Sequence, residues 1–62
     1  MTAHQFRVAL DRLALTQAQA AQFLGRSTRS VWGYCNGEPI DRPIVLLFSL
    51  MVEHGISPED LG

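Results

Sequence analysis

Apolar positions recur along this chain with helical spacing. Thr2 and Gln5 form a capping-box pair, and Phe6, Ala9, Leu10 and Leu13 follow at i, i+3, i+4 and i+7. They predict a first helix that ends near Leu13. Thr16 and Gln19 repeat the cap, Ala20, Phe23 and Leu24 supply the stripe of a short second helix, and Gly25 supplies a left-handed stop. Only Arg26 separates that stop from Ser27, a good N-cap, so a third helix begins at once, at a sharp angle, and runs from Thr28 to about Asn36. Gly37, Pro39 and Pro43 break the pattern. Asp41 is placed to cap a fourth helix that carries "IVLLFSLMV" and runs to His54 before Gly55 stops it. "SPED" (Ser57 to Asp60) has a cap, an N1 proline and two first-turn acids, which fits a final element of about one turn. No stretch alternates apolar and polar residues cleanly, and no repeat or linker interrupts the chain. The expectation is all-α: a compact bundle of four to five short helices in a single domain over residues 1–62.

Composition agrees with a folded domain, since 47% of the 62 residues are hydrophobic. A chain this short buries only about 60% of the surface its unfolded form exposes, so an isolated monomer is marginal. Cys35 is the single cysteine, which excludes an internal disulfide and any CxxC motif and points to an intracellular compartment. Residues after Met1 lack the basic segment and apolar run of a secretory signal. The nine-residue apolar run is far shorter than the about 20 residues of a membrane span. A cytoplasmic protein with no membrane contact is expected.

Charge position adds more than net charge, which is formally -1. All five basic residues are arginine, the side chain best suited to bidentate recognition of phosphate and guanine edges. Residues 12 to 37 hold Arg12, Arg26 and Arg29 and no acid, whereas Glu38, Asp41, Glu53, Glu59 and Asp60 all follow. This asymmetry fits a nucleic-acid face on an acidic chain, and it fits equally an ordinary solvated surface.

The segment "LTQAQAAQFLGRSTRSVWGYCNGE" carries Thr16-Gln17 at the start of the second helix, Ala21 inside it, Leu24-Gly25-x-Ser27 in the turn, Val31 in the third helix and Asn36-Gly37 after it. "HGISPEDL" supplies a Gly-Ile-Ser start to a last helix. In these features the chain resembles the Cro and lambda-repressor-like (XRE) family of helix-turn-helix DNA-binding domains, over nearly its whole length. It departs from that pattern at Arg26, a turn position usually apolar, at Ala20, usually a larger Leu, and at Gly33, where a side chain often reaches DNA. The resemblance implies a helix-turn-helix over about residues 16–36, a third helix that reads DNA, and a Gln17 that anchors a phosphate or braces that helix.

At 100° per residue, Val31, Tyr34 and Cys35 share the inward face of the third helix, while Arg29, Gly33 and Asn36 point outward with Thr28 and Trp32 on the flank. As a recognition helix it presents Thr28, Arg29 and Trp32 to the major groove: Arg29 for bidentate contact with a guanine, Thr28 for a base edge or thymine methyl, Trp32 for a methyl or deoxyribose. Gly33 allows close approach of backbone to DNA at a cost of about 1 kcal/mol of helix stability relative to Ala. Arg12, Arg26, Ser27 and Asn36 join Gln17 as expected contacts to the DNA backbone. Trp32 can instead cover the core edge or a partner protein, and Arg29 can be a plain solvated charge.

Cys35 reads as a small buried filler, and His4 and His54 as surface residues near helix ends. Neither histidine has a partner at metal-ligand spacing, and no Ser-His-Asp or Gly-rich phosphate motif occurs. No enzyme activity, cofactor, metal or small-molecule ligand is expected. The expected function is a sequence-specific double-stranded DNA-binding regulator of phage or mobile-element type in a bacterial cell: a dimeric repressor or autorepressor, antitoxin-like or associated with anti-CRISPR genes. A helix-turn-helix-fold adaptor or anti-activator that contacts a protein is the alternative. Down the fourth helix, Ile44, Leu47, Phe48, Met51 and Val52 crowd the core side, while Leu46 and Leu50 point away beside Ser49 and Glu53. Those four outward residues form the expected homodimer interface, the alternative being that the last helix or the Met1 end folds over the two leucines, and a two-fold dimer demands a pseudo-palindromic operator.

Overall fold

Two capping boxes start the fold. In the computed structural model, which describes residues 1–61, Thr2 Oγ1 accepts the Gln5 N–H at 3.1 Å and Gln5 Oε1 accepts the Thr2 N–H at 2.8 Å. Thr16 and Gln19 repeat the exchange at 3.1 and 2.9 Å. These boxes fix the first turns of α1 (Ala3–Arg12) and α2 (Gln17–Leu24), and α3 (Thr28–Cys35), α4 (Arg42–His54) and α5 (Pro58–Leu61) complete an all-α bundle. Among the described residues no strand forms, and no helix is long and apolar enough to cross a membrane.

Helix α1 stops without a glycine. Leu15 N–H donates to Leu10 C=O at 2.9 Å and Ala14 N–H to Asp11 C=O at 3.1 Å, the paired bonds of a Schellman ending. That ending needs a left-handed residue, and Ala14 fills the place at φ 56°. For an L-residue such a conformation costs roughly 1–2 kcal/mol. At the end of α2 the same geometry falls on Gly25, at φ 67°, where no Cβ is strained. The chain therefore turns from α2 into α3 within three residues.

The core draws on four helices: Phe6, Ala9 and Leu10 from α1, Ala20 and Ala21 from α2, Val31, Tyr34 and Cys35 from α3, and Ile44, Phe48 and Met51 from α4. Phe6 is its centre, stacked on Phe48 at 5.4 Å and meeting the edge of Tyr34 at 5.5 Å. Aromatic pairs in such arrangements contribute about 0.5–1.5 kcal/mol beyond their buried area. Small residues at 20 and 21 let α2 lie close against α3, its most extensive partner.

Helix α4 begins differently from expectation. Asp41 occupies its N-cap position, but the carboxylate makes no capping bond. It is drawn sideways instead, accepting from Arg26 Nη2 at 3.0 Å and, over a long 3.4 Å, from the Tyr34 hydroxyl. Asp41 thereby ties the start of α4 to the turn between α2 and α3.

Candidate nucleic-acid interface

Helix α3 is held at its start by Ser27, whose Oγ accepts the Ser30 N–H at 3.1 Å and lies 2.9 Å from Ser30 Oγ. This cap leaves Thr28 and Arg29 exposed on the first turn, with Trp32 one turn on and 47% exposed. Gln17, in the first turn of α2, completes the set: Gln17, Thr28, Arg29 and Trp32 line one shallow, open concavity. The fold thus brings together four residues from two helix starts. The inward face of α3 is as its periodicity implies, with Val31, Tyr34 and Cys35 buried.

Electrostatics over this face differ from the linear charge pattern. The segment 12 to 37 has no acid in sequence, but in space Arg29 Nη1 pairs with Glu38 Oε2 at 3.0 Å and Arg26 with Asp41 at 3.0 Å. The physical reason is the turn after α3, which sends the first two acids back alongside the helix they follow. Both pairs are solvent-exposed, with side-chain exposures of 67% and 51% for Arg29 and Glu38. Such pairs contribute about 0–1 kcal/mol each. Arg29 also lies over Trp32, its Cζ 4.7 Å from the ring centroid.

Gly33 corrects the sequence reading. Expected to be open to solvent, it is buried, because Glu38 lies over it: a Cβ built at Gly33 would fall 2.6 Å from Glu38 Cδ and Oε1. The cause is the chain reversal at Gly37, φ 102°, after which Glu38 N–H donates to Gly33 C=O at 2.9 Å and brings residue 38 onto residue 33. Close approach of DNA to the Gly33 backbone is therefore blocked while Glu38 holds this position. Asn36 remains exposed, but its Nδ2 donates to Trp32 C=O at 2.7 Å and serves the end of α3. Arg12 does not join this face either; it lines the groove between α1 and α4 together with Val8, Val45, Ser49 and Glu53.

Sequence reasoning missed Glu38 and Asp41 as partners of the two arginines. A signal for Glu38 did exist, since Asn36-Gly37 after a helix marks a chain reversal that returns the next residue to the last turn. On α4, Leu46 and Leu50 are each 52% exposed, beside exposed Ser49 and Glu53. Neither α5 nor the Met1 end covers them.

Two core groups have raised pKa values. Burial pushes the Tyr34 phenol above its ordinary 10.0, helped by the Asp41 carboxylate and opposed by Arg26. Burial likewise raises the Cys35 thiol above 9.0, opposed by Arg7. Cys35 packs in the core beside Val31 and Tyr34. No protein-family model, curated protein or solved structure matches the chain. Its function is therefore read from the chemistry of its faces.

Proposed function

We propose that the protein is a sequence-specific double-stranded DNA-binding transcriptional regulator, a dimeric repressor or autorepressor of phage or mobile-element type acting in the cytoplasm. One observation carries the reading: Gln17, Thr28, Arg29 and Trp32 converge on one exposed concavity at the starts of α2 and α3. A helix presenting Arg, Thr and an aromatic ring from its first turns has the donors and apolar surface that read base edges in a major groove. Gln17, and the free backbone N–H groups at both helix starts, suit phosphate. Arg26, in a weak exposed pair, is a further phosphate ligand. Here α2 and α3 act as a helix-turn-helix of the XRE kind.

Dimerisation follows from α4. Fully burying a leucine stabilises by about 1.5–3 kcal/mol, and Leu46 and Leu50 leave roughly half of that unrealised in the monomer. A second copy on this face supplies the cover, and binding in successive major grooves requires it to set the two α3 helices about 34 Å apart. The test is a gel shift with the duplex upstream of the protein's own gene, across a salt series. A discrete complex that survives excess random duplex and weakens with salt is the expected result. Equal affinity for any sequence, or none, contradicts it.

A second reading has an observation of its own. Both arginines near the concavity already have carboxylate partners, as they would when meeting an acidic protein surface, and this favours an adaptor or anti-activator of the same fold. That reading predicts no complex in the gel shift.

A further inference from the structure

Glu38 is the acidic side chain paired with Arg29 in the proposed reading face, and it sits there through a chain of specific contacts. Its N–H closes the turn after α3 onto Gly33 C=O at 2.9 Å, and its carboxylate lies where a residue-33 side chain would start. From that seat it takes the Nη1 donor of Arg29 at 3.0 Å. Arg29 is then held from two sides, by this carboxylate and by the Trp32 ring 4.7 Å from its Cζ. The guanidinium has five donors in a rigid fork, and occupying Nη1 leaves the Nε and Nη2 edge for two parallel bonds. Guanine O6 and N7 match that edge. The ion pair and base contact are therefore compatible, and Glu38 need not leave for DNA to be read.

We propose that Glu38, seated on the bare backbone of Gly33, is a specificity-determining residue: it positions Arg29 for one base edge and discourages its use on random phosphates. This rests on the DNA-binding reading above. The carboxylate offsets the Arg29 charge toward the phosphate backbone, which dominates non-specific binding, and keeps the side chain from wandering to a nearby phosphate. Glycine at 33 is what makes the seat possible, because any larger residue would push the carboxylate off the helix.

The experiment is selection of bound sequences from a randomised duplex library by the full chain, followed by affinity measurement on the selected and on scrambled duplexes across salt. Wild type is compared with Glu38→Gln and Gly33→Ala. Discrimination by one good bidentate pair is on the order of ten- to a hundredfold, so Glu38→Gln should lower the selected-to-scrambled ratio about tenfold, mainly at one base pair per half-site. It should raise affinity for scrambled duplex and steepen its salt dependence by about one unit. Gly33→Ala should reproduce the lost discrimination by displacing the carboxylate, although alanine favours the helix and should keep or raise the melting temperature. Loss of discrimination together with a stable fold distinguishes positioning from structural damage. An unchanged ratio in Glu38→Gln, including an equal gain on both duplexes, overturns the proposal and leaves the DNA reading standing. If wild type itself enriches no sequence and binds no duplex, the DNA reading falls and this inference falls with it.

Discussion

The Arg29 guanidinium carbon stands 4.7 Å from the centroid of the Trp32 ring, one helical turn along α3. A cation–π contact of this kind restrains the guanidinium beside the aromatic face, which suits a residue that reads one base edge. Replacing Arg29 with Ala should weaken binding to the selected site by about 1–3 kcal/mol and relax preference mainly at one base pair per half-site. Arg26→Ala, as a phosphate contact, should instead weaken all sequences alike and shallow the salt slope by about one unit. Binding isotherms on selected and scrambled duplexes separate the two, and a uniform loss in Arg29→Ala would remove it from base reading.

Leu46 and Leu50 are each 52% exposed on α4, with Ser49 and Glu53 beside them. Changing both leucines to Glu should give a folded monomer at micromolar concentration that loses most affinity for the full operator and keeps its half-site preference. Sedimentation of the double variant decides this. A variant that remains dimeric with wild-type operator binding would exclude this face as the interface.

Alkaline pH should destabilise the fold in two stages. The Cys35 and Tyr34 pKa values are both raised in the folded chain, so above the ordinary values of 9.0 and 10.0 the unfolded chain releases protons that the folded one retains. Their contribution to stability is complete below pH 9.0, falls as pH rises past it, and falls again past 10.0. Urea midpoints from pH 7 to 11 should trace that decline, with Cys35→Ala flattening the first stage and Tyr34→Phe the second. A midpoint independent of pH over this range would contradict the burial assigned to both groups.

Ala14 holds a left-handed conformation at φ 56° to end α1. Glycine there relieves roughly 1–2 kcal/mol of strain and gives back about 0.4–1 kcal/mol through the entropy of the unfolded chain. Ala14→Gly should therefore stabilise by up to about 1.6 kcal/mol, centred on about 0.8 kcal/mol, where the rise in melting temperature is roughly 3–6 °C for a domain of this size. A lower melting temperature by calorimetry would contradict the strain.

The helices were legible because their signals are local. Thr2 with Gln5 and Thr16 with Gln19, each pair three residues apart, declare a helix start, and Gly25 with Ser27 two residues on declares a turn. Periodicity also separates the buried Val31, Tyr34 and Cys35 from the exposed Arg29 and Trp32. What escaped depends on where the chain goes after a helix. Gly33 faces outward on any helical wheel, yet the backbone bond from Glu38 brings a carboxylate over it. Asp41 has the sequence context of a cap, yet Arg26 and Tyr34 compete for its oxygens from elements distant along the chain. Arg12 belongs by charge pattern with Arg26 and Arg29, yet α1 carries it into the groove against α4.

Amide and indole N–H resonances of the labelled protein, followed during titration with its selected duplex, report directly whether the α2–α3 face meets DNA. Trp32 supplies the single indole signal. The predicted result is a large shift of that signal together with the amides of Gln17, Thr28 and Arg29, while those of Leu46 and Leu50 in the preformed dimer stay in place. Shifts confined to α4, with the Trp32 indole unmoved at saturation, would contradict the assignment of α3 as the reading helix.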